Sequence, residues 1–321
     1  MNTEIIMEKS NQKNRKLKVS DRPNILSVLR SPVTLKPLKK ISDDLFETDD
    51  GKKYPVYDGV LCLIKEEDRG ADLGDAKFYE ENPFGVRNWN NQQEVEAGVE
   101  KELKEFIGKA PKEALIADVG CGGGRISNYM SLHGFTNVVS FDYSLNSAKM
   151  VNENSNNFCV WGNNLEMPVA SGSFDYVIST GVIHHTPDPK KAFSECARII
   201  KPGGKFYFKT RNLHSLYGYL FHTYGSVLRW SEKTPGMKWI STLFGLGVYR
   251  LTRSVFYSHL PKRPVAELRG KYENLFIKKL ITFFTTPEIE KMISDNQLEI
   301  MYGRKVSFTH RQHFYVCRKK D

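Results

Sequence analysis

Residues able to do chemistry gather in a few places along this chain. Asp118, Gly120, Gly122 and Gly124 stand in the segment ADVGCGGGR, where four glycines fall within five residues. Asp142 follows Gly124 by 18 residues, Asn163, Asn164 and Leu165 open the segment NNLEMP, and His184 and His185 are adjacent in GVIHH. Glycine has no Cβ, so a glycine run lets a ligand approach the main chain. A carboxylate at the distance of Asp142 can accept from both hydroxyls of a ribose. A histidine titrates near neutral pH and suits a general base acting on a hydroxyl. Together these types describe a nucleoside held against backbone, with a proton acceptor to one side.

The surrounding pattern supplies the elements such a site needs. Residues 114–119 are a short apolar run that reads as a buried strand ending in the glycine turn. RISNYMSLHG then reads as a helix, with Ile126, Tyr129, Met130 and His133 near one face and Gly134 as its stop. Strand, glycine turn and helix form half of a nucleotide-binding βαβ unit, whose helix start offers unpaired N–H groups. A dinucleotide fingerprint G-x-G-x-x-G would end on Gly or Ala, and Arg125 stands there, which weakens a nicotinamide reading. Further strands are expected at NVVSFD, NFCVW and SFDYVIST, and a fifth follows a helix that carries Ala192, Phe193, Cys196, Ala197 and Ile200 on one face. Pro202-Gly203-Gly204 is expected to end that helix.

The ordered words D-x-G-x-G-x-G, S-F-D-x-V, V-I-H-H, D-P and E-x-x-R-I-I-K-P-G-G over residues 114–210 resemble the type 11 branch of the class I S-adenosylmethionine methyltransferases. The resemblance implies an α/β, Rossmann-like, doubly wound seven-stranded sheet whose last strand is antiparallel. It implies S-adenosylmethionine as cofactor, held by Asp118, Gly120, Cys121, Gly122, Gly124, Asp142, Tyr143, Asn163, Asn164, Leu165, Thr180 and Gly181. Asn163 stands where the family usually places an Asp facing the adenine amine. Tyr79, in a lead-in segment, is a candidate for closing over the cofactor, and His185 and His184 are the candidate general bases.

Residues 25–64 resemble a small zinc-ribbon-like methyltransferase activator, but Ser31 and Thr34 occupy its first two cysteine positions. Without thiolates no tetrahedral zinc site forms, so a zinc-less version and no metal are expected. The chain therefore divides into a disordered basic tail (1–22), a zinc-less ribbon-like, β-rich domain (23–66), a cofactor-binding core with its lead-in helix (67–212), a helical lid insertion (213–274) and the end of the core (275–321). One lead-in helix is expected near 92–107, with Val95, Val99, Leu103 and Phe106 on one face. Two amphipathic helices are expected in the insertion, and a helix over 287–295 capped by Thr286.

The net charge of +10 is uneven. Residues 1–40 hold ten Lys and Arg against three acids, and residues 213–270 hold eight against two. The five cysteines are dispersed and read as free thiols of a reducing cytoplasm. No apolar stretch approaches the roughly 20 residues of a membrane span. The expected acceptor is a small or lipid-like molecule carrying an O, N or C nucleophile, with peripheral contact of 213–270 to an inner membrane surface. A tRNA methyltransferase of the wobble-uridine type and a non-catalytic S-adenosylmethionine-binding partner protein are the alternatives.

Overall fold

The computed structural model describes residues 22–70, 91–237, 280–304 and 306–321, together with 239, 243, 247 and 250. The N-terminal part comprises α1 (Pro23–Val28) and strands β1 (Lys39–Ser42), β2 (Leu45–Glu47), β3 (Lys53–Tyr57) and β4 (Val60–Leu63), followed by a 3-10 turn at Glu66–Asp68. Helices α2 (Gln92–Gly98) and α3 (Lys101–Gly108) lead to β5 (Ile116–Val119), α4 (Arg125–Leu132), β6 (Val138–Asp142), α5 (Leu145–Asn154), β7 (Phe158–Gly162) and β8 (Phe174–Thr180). A 3-10 turn at Ile183–His185 precedes α6 (Pro189–Arg198) and β9 (Ile200–Asn212). Then come α7 (Leu216–His222), α8 (Tyr224–Lys233), β10 (Phe283–Phe284), α9 (Thr286–Asp295), β11 (Leu298–Gly303) and β12 (Gln312–Lys319).

The strands form one sheet in the order β1-β2-β3-β4-β7-β6-β5-β8-β9-β12-β11, with β10 beside β9. Strands β7, β6, β5, β8 and β9 are parallel neighbours, and β12 runs antiparallel to both β9 and β11. The expected seven strands with an antiparallel last member are thus present. All four residues of β5 are buried, as a central parallel strand covered on both faces requires. The period of two sends alternate residues to opposite layers. Phe206 and Phe208 of β9 join the core under α6 and α9, while Tyr207 between them joins the core under α2, α3 and α4.

Four expectations are revised. The lead-in helix is two helices, because Val99 takes an extended conformation at φ −93°, ψ 129°. The break is used by the core: the Gly98 carbonyl accepts from Arg125 Nη1 at 2.8 Å, and Glu100 pairs with Lys209 at 2.9 Å. Val95, Val99, Leu103 and Phe106 are nonetheless all buried. Helix α6 ends at Arg198, and Pro202-Gly203-Gly204 lies within β9, where a register shift against β8 absorbs it. Thr285, not Thr286, caps α9, in a reciprocal capping box with Glu288. The first insertion helix is divided at Thr223 into α7 and α8. The second insertion helix lies almost wholly outside the described residues, as does the N-terminal tail. No helix among the described residues is long and apolar enough to cross a membrane.

The segment read as a ribbon-like domain continues the main sheet. Strand β4 pairs in parallel with β7, Val60 to Cys159 through Leu63 to Gly162, and all four of its residues are buried. Ser31 organises this part through hydrogen bonds. Its hydroxyl accepts from the Val33 and Thr34 N–H groups at 3.2 and 3.0 Å and shares a 2.6 Å bond with the Tyr54 hydroxyl. Ser31 is fully buried, and burial raises the Tyr54 phenol above its ordinary range, so the phenol stays neutral. Replacing Ser31 by Ala should cost about 1–3 kcal/mol in a urea titration, because the Tyr54 hydroxyl is left without that partner. Adding Tyr54→Phe should cost less than it does in the wild type, and simple additivity would show that the two groups are not coupled.

Candidate functional site

The candidate residues converge where open α/β sheets place their ligands, at the C-terminal ends of the parallel strands. Val119, Asp142, Gly162 and Thr180 are the last residues of β5, β6, β7 and β8. The glycine turn leaves β5 by way of left-handed backbone, with φ of +74° at Gly120, +51° at Gly122 and +86° at Gly124. A Cβ on Gly120 would lie 2.3 Å from Val182 Cγ2, so both conformation and space demand glycine there. Gly124 caps α4, and its own Cβ would press on Asn128 and Val151 at 3.0 Å. The turn is tied to β6 because the Gly120 and Cys121 N–H groups both donate to the Phe141 carbonyl, at 2.8 and 3.0 Å.

Asp142 completes this tie with its side chain. Oδ2 accepts from the Gly122 N–H at 2.8 Å, and Oδ1 accepts from the Ser144 N–H at 2.8 Å. Its carboxylate is therefore fixed in orientation at the mouth of the turn, and a carboxylate offers about four acceptor sites in all. The neighbouring Tyr143 donates its hydroxyl to the Asp68 carbonyl, and the Trp161 indole donates to the Tyr143 carbonyl at 2.8 Å. Burial pushes the Tyr143 phenol up to about 12, so it acts as a neutral donor. Asn163 accepts the Leu165 N–H on Oδ1 at 2.9 Å and donates from Nδ2 to Asp68 Oδ2 at 3.0 Å. Asn164, beside it, is buried, with no hydrogen bond to its Oδ1.

Thr180 ends β8, and Gly181 follows it. Gly181 has φ +79° and open space where a Cβ would be. Thr180 lies in register with Lys209, a buried lysine on β9 that pairs with Glu100 at the break between α2 and α3. Nothing in the local sequence marks Lys209 or Glu100, since their pairing spans over a hundred positions. His184 and His185 sit on the 3-10 turn after β8, with ring centroids 4.3 Å apart. His184 is fully buried, whereas His185 is half-buried with Nδ1 3.3 Å from the Leu280 carbonyl. Tyr79 lies outside the described residues.

Two groups in the motif do other work. Burial, aided by the charges of Asp142 and Asp118, raises the Cys121 thiol well above its ordinary range, so it is no nucleophile. Asp118 points under the turn and accepts from Ser127 Oγ at 2.6 Å, and Ser127 in turn bonds Ser140 at 2.8 Å. Burial, opposed by the Ser127 bond and reinforced by Asp142, pushes Asp118 up to about 6. The folded state therefore holds this proton more tightly than the unfolded chain, and stability falls as pH rises from about 4 to 7. Asp118→Asn should remove about 2–3 kcal/mol of that fall. Urea midpoints of the two proteins measured across this range would converge at the acidic end, and parallel curves would count against a buried, proton-holding Asp118.

Comparison with known proteins fits this geometry. Residues 117–208 match the family model described as a methyltransferase domain. The ubiquinone biosynthesis O-methyltransferase of Coxiella burnetii is 33% identical over 141 residues, covering 37% of this chain and 59% of that protein. The protein of the same name from Chromobacterium violaceum is 35% identical over 106 residues, covering 30% of this chain and 44% of its own length. The chain thus spans about half the length of these curated relatives. Among solved structures, the PH0226 protein of Pyrococcus horikoshii superposes with a TM-score of 0.49 at 21% identity, over 76% of this chain and 99% of that one. With the glycine turn, Asp142 and the strand order in place, residues 117–208 match a methyltransferase domain.

Proposed function

We propose that the whole protein transfers a methyl group from S-adenosylmethionine to a small-molecule acceptor. The observation that carries this reading is the Asp142 carboxylate, oriented by two N–H groups at the mouth of a glycine turn. The residues fit a nucleoside: left-handed glycines admit it against the backbone, and the carboxylate can accept from ribose hydroxyls. Gly120, Cys121, Gly122 and Gly124 form the turn beneath it with Asp118 at its base in β5, Tyr143, Asn163, Asn164 and Leu165 line the base end, and Thr180 and Gly181 line the methionine end. S-adenosylmethionine, when bound, supplies a methyl carbon on a cationic sulfur, electrophilic enough that the protein's main task is alignment and exclusion of water.

The relatives' name, O-methyltransferase, supports an oxygen nucleophile on the acceptor. Of the two histidines, His185 is the half-buried one, and it serves as the general base that takes the acceptor's proton. His184 then serves as packing beneath it. Exposed Tyr219, Val227 and Trp230 on α7 and α8 support an acceptor with an apolar, lipid-like body.

Calorimetric titration with S-adenosylhomocysteine should give binding that Asp142→Ala weakens about tenfold or more, roughly 1.4 kcal/mol. A wild-type chain that takes up no S-adenosylhomocysteine would refute the reading. For the base, transfer of labelled methyl to a small-molecule extract should fall about 10²-fold or more in His185→Gln, with cofactor affinity unchanged. A full rate in that variant would remove His185 from the chemistry.

A further inference from the structure

We infer that Asp68, on the N-terminal extension, reads the amino edge of the purine and so makes the cofactor site specific for adenine. The inference rests on the S-adenosylmethionine reading above and adds a residue that the methyltransferase motifs do not contain.

The amide of Asn163 is the starting point. The Leu165 N–H can only donate, so the group facing it at 2.9 Å is the Asn163 oxygen. The Asn163 NH2 group must then face outward, and it donates to Asp68 Oδ2 at 3.0 Å. The 6-amino group of adenine is also a donor. An Asn163 that spends one of its two oxygen lone pairs on its own chain and turns its NH2 to Asp68 has little acceptor capacity left for that amine. The acceptor that the structure brings to this position is the Asp68 carboxylate, of whose roughly four acceptor sites Asn163 uses one.

The placement of Asp68 is over-determined. Its carbonyl accepts from the hydroxyl of Tyr143, the residue after the ribose candidate Asp142, while its carboxylate meets Asn163. One residue therefore touches two of the residues assigned to the base end, one after β6 and one after β7. The turn that carries it is held on either side. Lys65 pairs with Glu166, and the Arg69 guanidinium lies 5.8 Å from the centroid of Trp161, which is itself in register with Asp142. Asp68 is half-buried, so its carboxylate is partly shielded while open to a ligand.

A 6-oxo purine would set a carbonyl against this carboxylate, two acceptors without a proton between them. The site should reject it, because a missing hydrogen bond at a polar site discriminates far more strongly than a missing methylene. The test is a pair of titrations on the full chain, with S-adenosylhomocysteine and with its 6-oxo counterpart, S-inosylhomocysteine. The wild type should prefer the adenosyl compound by about 10²-fold or more. Asp68→Asn, whose amide can turn an N–H toward a carbonyl, should shrink that preference about tenfold or more. Asp68→Ala should also lose preference, through weaker adenosyl binding alone. Asp142→Ala should weaken both ligands in parallel and leave the ratio unchanged. An Asp68→Asn protein that keeps the wild-type ratio, including one that weakens both ligands equally, overturns the inference while leaving the methyltransferase reading intact. A wild type that binds neither compound overturns both.

Discussion

The arrangement depends on one short tie, the Asp142 carboxylate bonded to the Gly122 N–H across the end of the sheet. A glycine-rich turn has large backbone entropy, and left-handed φ values at three of its positions give it little intrinsic preference for one shape. The Phe141 carbonyl, with two N–H donors, and the Asp142 side chain, with a third, fix that turn onto the neighbouring strand. The same bonds orient the carboxylate. Turn shape and acceptor direction are thus set together, and neither is available to a ligand without the other.

Beneath this tie lies a polar seam that most cores would exclude. Asp118, Ser127, Ser140 and Asn157 are all buried, and Asn157 donates to the Ser127 carbonyl at 2.8 Å. Replacement of one member alone leaves its neighbours unsatisfied, which is costly in a low-dielectric interior. The seam joins β5, α4 and β6 behind the glycine turn, so the front of the site is as rigid as the hydrogen bonds behind it.

The parts of the fold legible in the sequence were those encoded locally. The glycine turn, the apolar strands and Asp142 at its fixed interval all carry a short-range pattern, and each lies where that pattern put it. The breaks did not show. Val99 and Thr223 interrupt helical periodicity that the sequence continues through both positions, with Gly98 the one local hint of the first break. What forces the first break is tertiary: Arg125 draws on the Gly98 carbonyl and Lys209 on Glu100. The N-terminal part illustrates the same limit. Its turn words were readable, but the partner of β4 is β7, nearly a hundred residues away, and nothing local in either strand names the other. Asp68 lay hidden for that reason, since its significance comes only from what the pairing sets beside it.

The β4–β7 pairing also orders events in time. Ladder bonds between residues 60–63 and 159–162 cannot form until the later strand exists. During synthesis the N-terminal strands emerge first and must wait for β5, β6 and β7 to assemble before they find their edge. The N-terminal part carries the turn clasped by Tyr143 and Asn163, so those two contacts also wait for β6 and β7.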